Sequence, residues 1–206
     1  MDRPGSLQSM IMAADIAPPT GSAEEIARET LNSVLGGAFT SRINMNLRED
    51  KHWSYGARST LTPARGPSPF IAWAPVQTDK TSESMAEMDK ELRNILEKQP
   101  VTEAELSTAE KEETLKLPGQ WETQSHVSSS IAQIVRFGWP DDYFVTYPER
   151  VRALTQTDLQ QAASQFVHPA HLIWIVVGDR SKVQAGIRNL GWGALHLLDT
   201  DGRPED

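Results

Sequence analysis

Cysteine is absent from the 206 residues, which excludes a disulfide framework, a cysteine-based zinc site and a cysteine nucleophile. No apolar run approaches the roughly 20 residues of a membrane-crossing helix, so no membrane span is expected, and residues 1–6 lack the charged-then-apolar pattern of a signal peptide. Positive charge is short: 20 Lys and Arg against 28 Asp and Glu leave a formal net charge of -8. No run concentrates Lys and Arg, so nucleic acid is not an expected partner. The five histidines, His52, His126, His168, His171 and His196, form neither H-x-x-E-H nor H-E-x-x-H.

What is present suits a single domain over residues 1–206, with 1–6 and 200–206 as loose ends. Residues 7–17 are apolar and weakly alternating up to Pro18-Pro19, which predicts a strand. Residues 22–35 carry Ile26, Thr30, Leu31, Val34 and Leu35 at helical spacing, and Gly36-Gly37 stops the pattern. Phe39, Ile43 and Leu47 recur every four residues and predict a short helix over 40–50 with that stripe toward the core. Residues 54–61 and 70–77 read as antiparallel strands joined by a Pro- and Gly-rich loop. Met85, Met88, Leu92, Ile95 and Leu96 mark a periodic helix ended by Pro100. Thr102 with Glu105 makes a capping box that opens another helix toward Leu117, ended by Pro118-Gly119.

Helices over 121–136, 143–153 and 157–167 follow, the last opened by Thr157 with Gln160. The β-branched run 172–177 reads as a central strand buried on both faces, followed by a helix over 181–190 and a short edge strand within 191–199. This order predicts an α+β fold, a mostly antiparallel sheet with helices packed on one face.

Several chemical-looking groups have simpler readings. His168-Pro169-Ala170-His171 reads as a turn before a strand, because its proline breaks the helix that would aim both rings at one ion. Val177-Gly178-Asp179 is a turn without the further glycines and lysine of a phosphate loop. Ser128, Ser129 and Ser130 are a polar stretch of helix, and Met85 and Met88 are core. Glu103, Glu105, Glu110, Glu112 and Glu113, interleaved with Lys111 and Lys116, read as a solvated helix face.

The densest segment is Leu35-Gly36-Gly37-Ala38-Phe39-Thr40-Ser41-Arg42-Ile43-Asn44-Met45-Asn46-Leu47-Arg48-Glu49-Asp50-Lys51-His52-Trp53-Ser54-Tyr55-Gly56. It sets Arg48 and Tyr55 seven positions apart across a helix end, where a guanidinium and a phenol can donate to one oxygen atom. On composition alone the same two residues are a surface ion pair and a strand aromatic. The segment resembles the L-G-G-x-F-x-S-R-L-N-x-x-L-R-E-x-K-G-x-x-Y-G signature of pitrilysin/insulinase-type (inverted zincin) metallopeptidases, in their C-terminal, metal-free half. The resemblance continues through Phe70 to Asp79, the helix start at Pro100 to Leu106, and Val176-Val177-Gly178-Asp179. One departure stands out: His52 replaces the glycine after the lysine, and Trp53 follows it.

The resemblance implies a fold like that of mitochondrial processing peptidase. Two homologous α+β halves face each other around a chamber, one half carrying zinc on H-x-x-E-H. Arg48 and Tyr55 match the residues that the other half contributes to hold the peptide main chain and stabilise the oxyanion. It further implies no zinc on this chain, zinc on a homologous half or subunit as partner, and a peptide substrate. The partner is either the rest of the same polypeptide or a separate subunit; the start so close to the first strand suggests an excised fragment. A non-catalytic structural or assembly subunit of the same fold is the alternative. The bacterial periplasm or envelope is the setting that many such two-part peptidases suggest.

Overall fold

Side-chain alternation across the pleat organises the sheet of this chain. The structure, a computed structural model, describes residues 1–205. Strand β1 (Gln8–Ala17) buries Ser9, Ile11 and Ala13, and β3 (Ser68–Gln77) buries Phe70, Ala72, Ala74 and Val76. With β2 (Arg58–Leu61) and β4 (Ile173–Val177) they form one antiparallel sheet in the order β2-β3-β1-β4. The register sets Ile11 between Ala74 and Val176, and Ala13 between Ala72 and Trp174, so these residues share one face.

Helices cover that face alone. Helix α1 (Glu25–Asn32) runs on into a π-helical turn, Ser33–Gly37; α2 (Arg42–Asn44) runs on into another, Met45–Asp50. Then come α3 (Thr81–Asn94), α4 (Glu103–Leu115), α5 (Leu117–Gln120), α6 (Gln124–Phe137), α7 (Tyr143–Arg152), α8 (Gln156–Phe166) and α9 (Arg180–Asn189). Leu31, Leu35, Ile43, Leu47, Met88, Leu92 and Leu159 are fully buried in the core. Each such side chain contributes about 1.5–3 kcal/mol by leaving water. Phe70 meets Phe166 edge-on, ring centroids 5.0 Å apart, tying sheet to α8.

The opposite face stays open and is itself apolar: Met10, Met12, Ile71, Trp73, Ile173 and Ile175 point there, none of them buried. This explains a correction. The run 172–177 was expected to be a central strand, yet β4 is the edge of the sheet. Its unbroken apolarity reflects a core on one side and an apolar open face on the other, not two flanking strands.

Other expectations shift locally. Helix α4 carries the expected capping box of Thr102 and Glu105, but α8 is opened by Thr155 with Asp158, not by Thr157 with Gln160. Pro118 opens the short turn α5, where its missing N–H costs nothing, instead of ending helical structure. Residues 191–199 form no strand; a single bridge joins Leu198 to Pro204. Of the expected loose ends, residues 1–3 lie along the sheet edge beside Val176 and Gly178, and Asp206 lies outside the described residues.

Candidate active-site segment

Gly36 and Gly37 do not end α1 by a left-handed turn. They continue it, and a Cβ on Gly36 would lie 2.4 Å from the Ser59 hydroxyl and 2.5 Å from its backbone nitrogen. Glycine is required there because the helix passes against β2. The chain then turns at Ala38 into α2, whose Ile43 and Leu47 are fully buried. Phe39, expected on the same stripe, is mostly exposed. Its ring instead carries the Arg48 guanidinium, 4.6 Å from the centroid, a cation–π contact.

Hydrogen bonds brace the two arms of the segment. The buried Asn44 donates through Nδ2 to the Phe39 carbonyl (2.7 Å) and accepts from the Ala57 N–H (3.0 Å). Ser54 Oγ donates to the Pro75 carbonyl (2.6 Å) and accepts from the Gly56 N–H (3.1 Å), holding the turn against β3. Arg42 holds Glu105 through two nitrogens at 2.6 and 2.7 Å and the Pro100 carbonyl at 3.1 Å, anchoring α2 to α4. The Asn44 and Ser54 braces carry no signal in the sequence, since short polar residues have no periodicity.

His52 adopts φ 57°, the one non-glycine residue among those described with a positive φ. The matched glycine of the family pattern is thus replaced by a residue that keeps the left-handed turn at some cost. Its Nδ1 lies 3.0 Å from the Arg48 carbonyl oxygen, closing the last helical turn.

Arg48 and Tyr55 emerge from these two arms. The Arg48 side chain is 39 % exposed and its Nε lies 3.3 Å from Glu49 Oε1; Tyr55 is 86 % exposed. Ser54 forms an isolated bridge to Val76 and is buried, while Tyr55 follows it in a bend and projects into solvent. Two hydrogen-bond donors therefore stand at the surface on a rigidly braced segment.

A second polar cluster lies between α1, α4 and α7. Glu113, expected on a solvated face, is buried; it accepts from Ser33 Oγ (3.2 Å) and Tyr147 OH (2.9 Å) and pairs with Lys116. Burial, with the nearby Glu25 and Glu113 carboxylates, pushes the Glu29 carboxyl up to about 8. Burial likewise raises Glu25, whose Oε2 accepts from Gly21 N–H and Trp139 Nε1. Among the described residues no group of three or more His, Asp or Glu is arranged to hold a metal ion. The most ligand-like histidine is already engaged: His168 Nδ1 lies 2.8 Å from Asp15 Oδ2 and Nε2 lies 3.1 Å from the Ser164 carbonyl. The described residues therefore do not fit a zinc site.

The chain is thus a mixed helix and antiparallel-sheet fold with two exposed hydrogen-bond donors on its Gly-Gly-to-Tyr-Gly segment. The family model described as the peptidase M16 inactive domain matches residues 1–112, and the chain belongs to that family. No curated protein matches the chain. Among solved structures it is similar to the peptidase M16 inactive domain from Pseudomonas fluorescens, with 19 % identity and a TM-score of 0.79 over 87 % of this chain and 42 % of that one. It is also similar to a protease from Helicobacter pylori, with 18 % identity and a TM-score of 0.76 over 86 % of this chain and 43 % of that one. A chain of complex III2 from Candida albicans shows 13 % identity and a TM-score of 0.75 over 93 % of this chain and 48 % of that one. The chain thus spans less than half the length of these relatives.

Proposed function

We propose that this chain is the substrate-binding half of a zinc-dependent endopeptidase, inactive alone and completed by a homologous zinc-bearing half or subunit. Arg48 and Tyr55 hold the peptide main chain and donate hydrogen bonds to the carbonyl oxygen as negative charge develops on it; zinc and the attack on the peptide belong to the companion. The observation that carries this reading is the pair of exposed donors on one braced segment, Arg48 steadied by Phe39 and Tyr55 exposed in the bend after Ser54. Enclosure by a companion half would remove water from both donors, where they act more strongly on a developing charge.

The test is cleavage of a quenched fluorescent peptide library by the chain alone and by its mixture with a homologous half carrying H-x-x-E-H and zinc. Activity in the mixture alone, abolished by a chelator, is the expected result. Arg48→Ala and Tyr55→Phe should each lower turnover about 10²-fold with assembly intact; unchanged turnover in an assembled pair would refute the assigned roles. The second reading, a structural or assembly subunit, draws on the fold shared with the complex III2 chain. It would be the better account if the two halves assembled and cleaved nothing.

A further inference from the structure

Residues 117–152 hold together through their own aromatic contacts. Trp139 stacks on Tyr143 with ring centroids 4.0 Å apart, Phe144 meets Trp121 edge-on at 5.7 Å, and Tyr143 lies 5.9 Å from Tyr147. With Leu117, Val151 and Ile26 of α1, the two tyrosines form a small apolar cluster separate from the core under the sheet; Leu154, just past α7, packs on both.

Apart from that cluster, the seam with α1 and α4 is polar. Trp139 Nε1 donates to Glu25 Oε2 (3.1 Å) and Tyr147 OH to Glu113 Oε2 (2.9 Å). Glu25 Oε1 is buried without a hydrogen-bond partner, and the Glu29 side chain makes no hydrogen bond among the described residues. Three carboxylates therefore meet at a seam that offers donors to two of them.

The charged and titratable groups around Glu29 come from every element packed on it. Helix α1 brings Glu24, Glu25 and Arg28; α4 brings Glu113, with Lys116 just beyond; α7 brings Tyr143, Tyr147 and Arg150. Helix α8 and strand β2, which also pack on α1, bring Asp158, engaged in its Thr155 capping box, and the exposed Arg58. The nearby cations are taken: Arg28 donates to Pro19, Ser22 and Gln165, Lys116 pairs with Glu113, and Arg150 covers the Tyr143 ring. Burial and the two neighbouring carboxylates favour the protonated Glu29 in the closed seam, holding its proton up to about 8 against the ordinary 4.5.

We propose that residues 117–152 come away from α1 and α4 as one unit while the sheet core stays folded, and that loss of the Glu29 proton is what releases them. Opening hydrates Glu29 and separates Glu113 from Tyr147, so the repulsion among the three carboxylates is relieved. The closed form binds one proton more than the open form between 4.5 and about 8, so the open fraction rises with pH through that window and levels off above it. Glu113 also accepts from Ser33, at the start of the turn that leads to Gly36, so the seam touches the root of the Arg48 segment. The opening itself is independent of the roles assigned to Arg48 and Tyr55.

The test is hydrogen exchange of the full chain by mass spectrometry at pH 6, 7 and 8, corrected for intrinsic rates, with and without low urea. Residues 139–151 should be at least about tenfold less protected than residues 85–92 of α3, and their protection should depend less on urea, because a local opening exposes less surface. Their protection should fall at least about tenfold from pH 6 to pH 8, within the limit of about tenfold per pH unit that one proton sets. In Glu29→Gln the same fall should shrink to less than about threefold. The wild-type series needs no variant, so it tests a local, proton-linked opening even where the substitution fails to fold. Equal protection and equal urea dependence of the two stretches would overturn the proposal, as would an opening independent of pH or an undiminished fall in a folded Glu29→Gln.

Discussion

Helices α3 and α6 are each 14 residues long and each amphipathic, yet their fates differ completely. Met85, Met88 and Leu92 of α3 are buried against the sheet, whereas α6 buries nothing: Ile131 is 57 % exposed and Val135 72 % exposed. The comparison teaches that an apolar stripe identifies a helix and the side it would bury, but not whether this chain supplies the surface to bury it against. Helix α3 lies across β1 and β3, while α6 packs broadly on no other element, its last carbonyls accepting from Arg65 in the loop between β2 and β3.

The comparison can be broken by mutation. Met88→Ala should cost about 2–5 kcal/mol in urea unfolding, because it leaves a cavity in the core. Close behind, Gly36→Ala should cost about 1–3 kcal/mol, since the new Cβ meets the Ser59 backbone nitrogen as well as its hydroxyl, and the backbone cannot swing aside. His52→Ile should cost about 1–2 kcal/mol, a branched residue fitting φ 57° poorly, whereas His52→Gly should stay near neutral. At the small end, Ile131→Ala in α6 should shift stability by no more than about 0.5 kcal/mol in the chain alone. If Ile131→Ala cost as much as Met88→Ala, the contrast drawn between the two helices would fail.

A pH series probes the polar cluster between α1, α4 and α7. The Glu29 carboxyl is raised in the folded chain to about 8 from its ordinary 4.5, so the folded state binds more protons than the unfolded state between those values. Stability from this group is fully present below about 4.5 and is lost as pH rises toward 8. The neighbouring Glu25 is shifted in the same direction and adds to the slope. Thermal unfolding midpoints should fall across this window, and Glu29→Gln should flatten the fall; an unchanged slope in the variant would remove Glu29 as its cause.

Much of the fold was legible. Strand β1, the pairing of β2 with β3, the helix of Met85 and Met88 and the Thr102 capping box follow from side-chain periodicity and cap chemistry, which act over a few residues. The errors fall where distant segments decide. Residues 172–177 look like a central strand because apolarity does not distinguish a second flanking strand from an open apolar face. Glu113 looks solvated because a charged helix face says nothing of Ser33 and Tyr147 converging on it. Phe39 fits a core stripe, yet it serves Arg48 at the surface. Of the candidate site, Arg48 and Tyr55 came from the motif, while the Asn44 and Ser54 braces that orient their arms join residues across turns and left no pattern to read.

By itself, the sequence determined the local elements, the α+β class and the membership of Arg48 and Tyr55 in one recognisable segment, because backbone propensity, capping and alternation are written in neighbouring residues. Only the tertiary structure decided that β4 is an edge, that α6 is left uncovered, and that His52 holds a left-handed turn beneath Arg48. Those outcomes depend on which surfaces meet, and burial is a property of the pair of surfaces, not of either one.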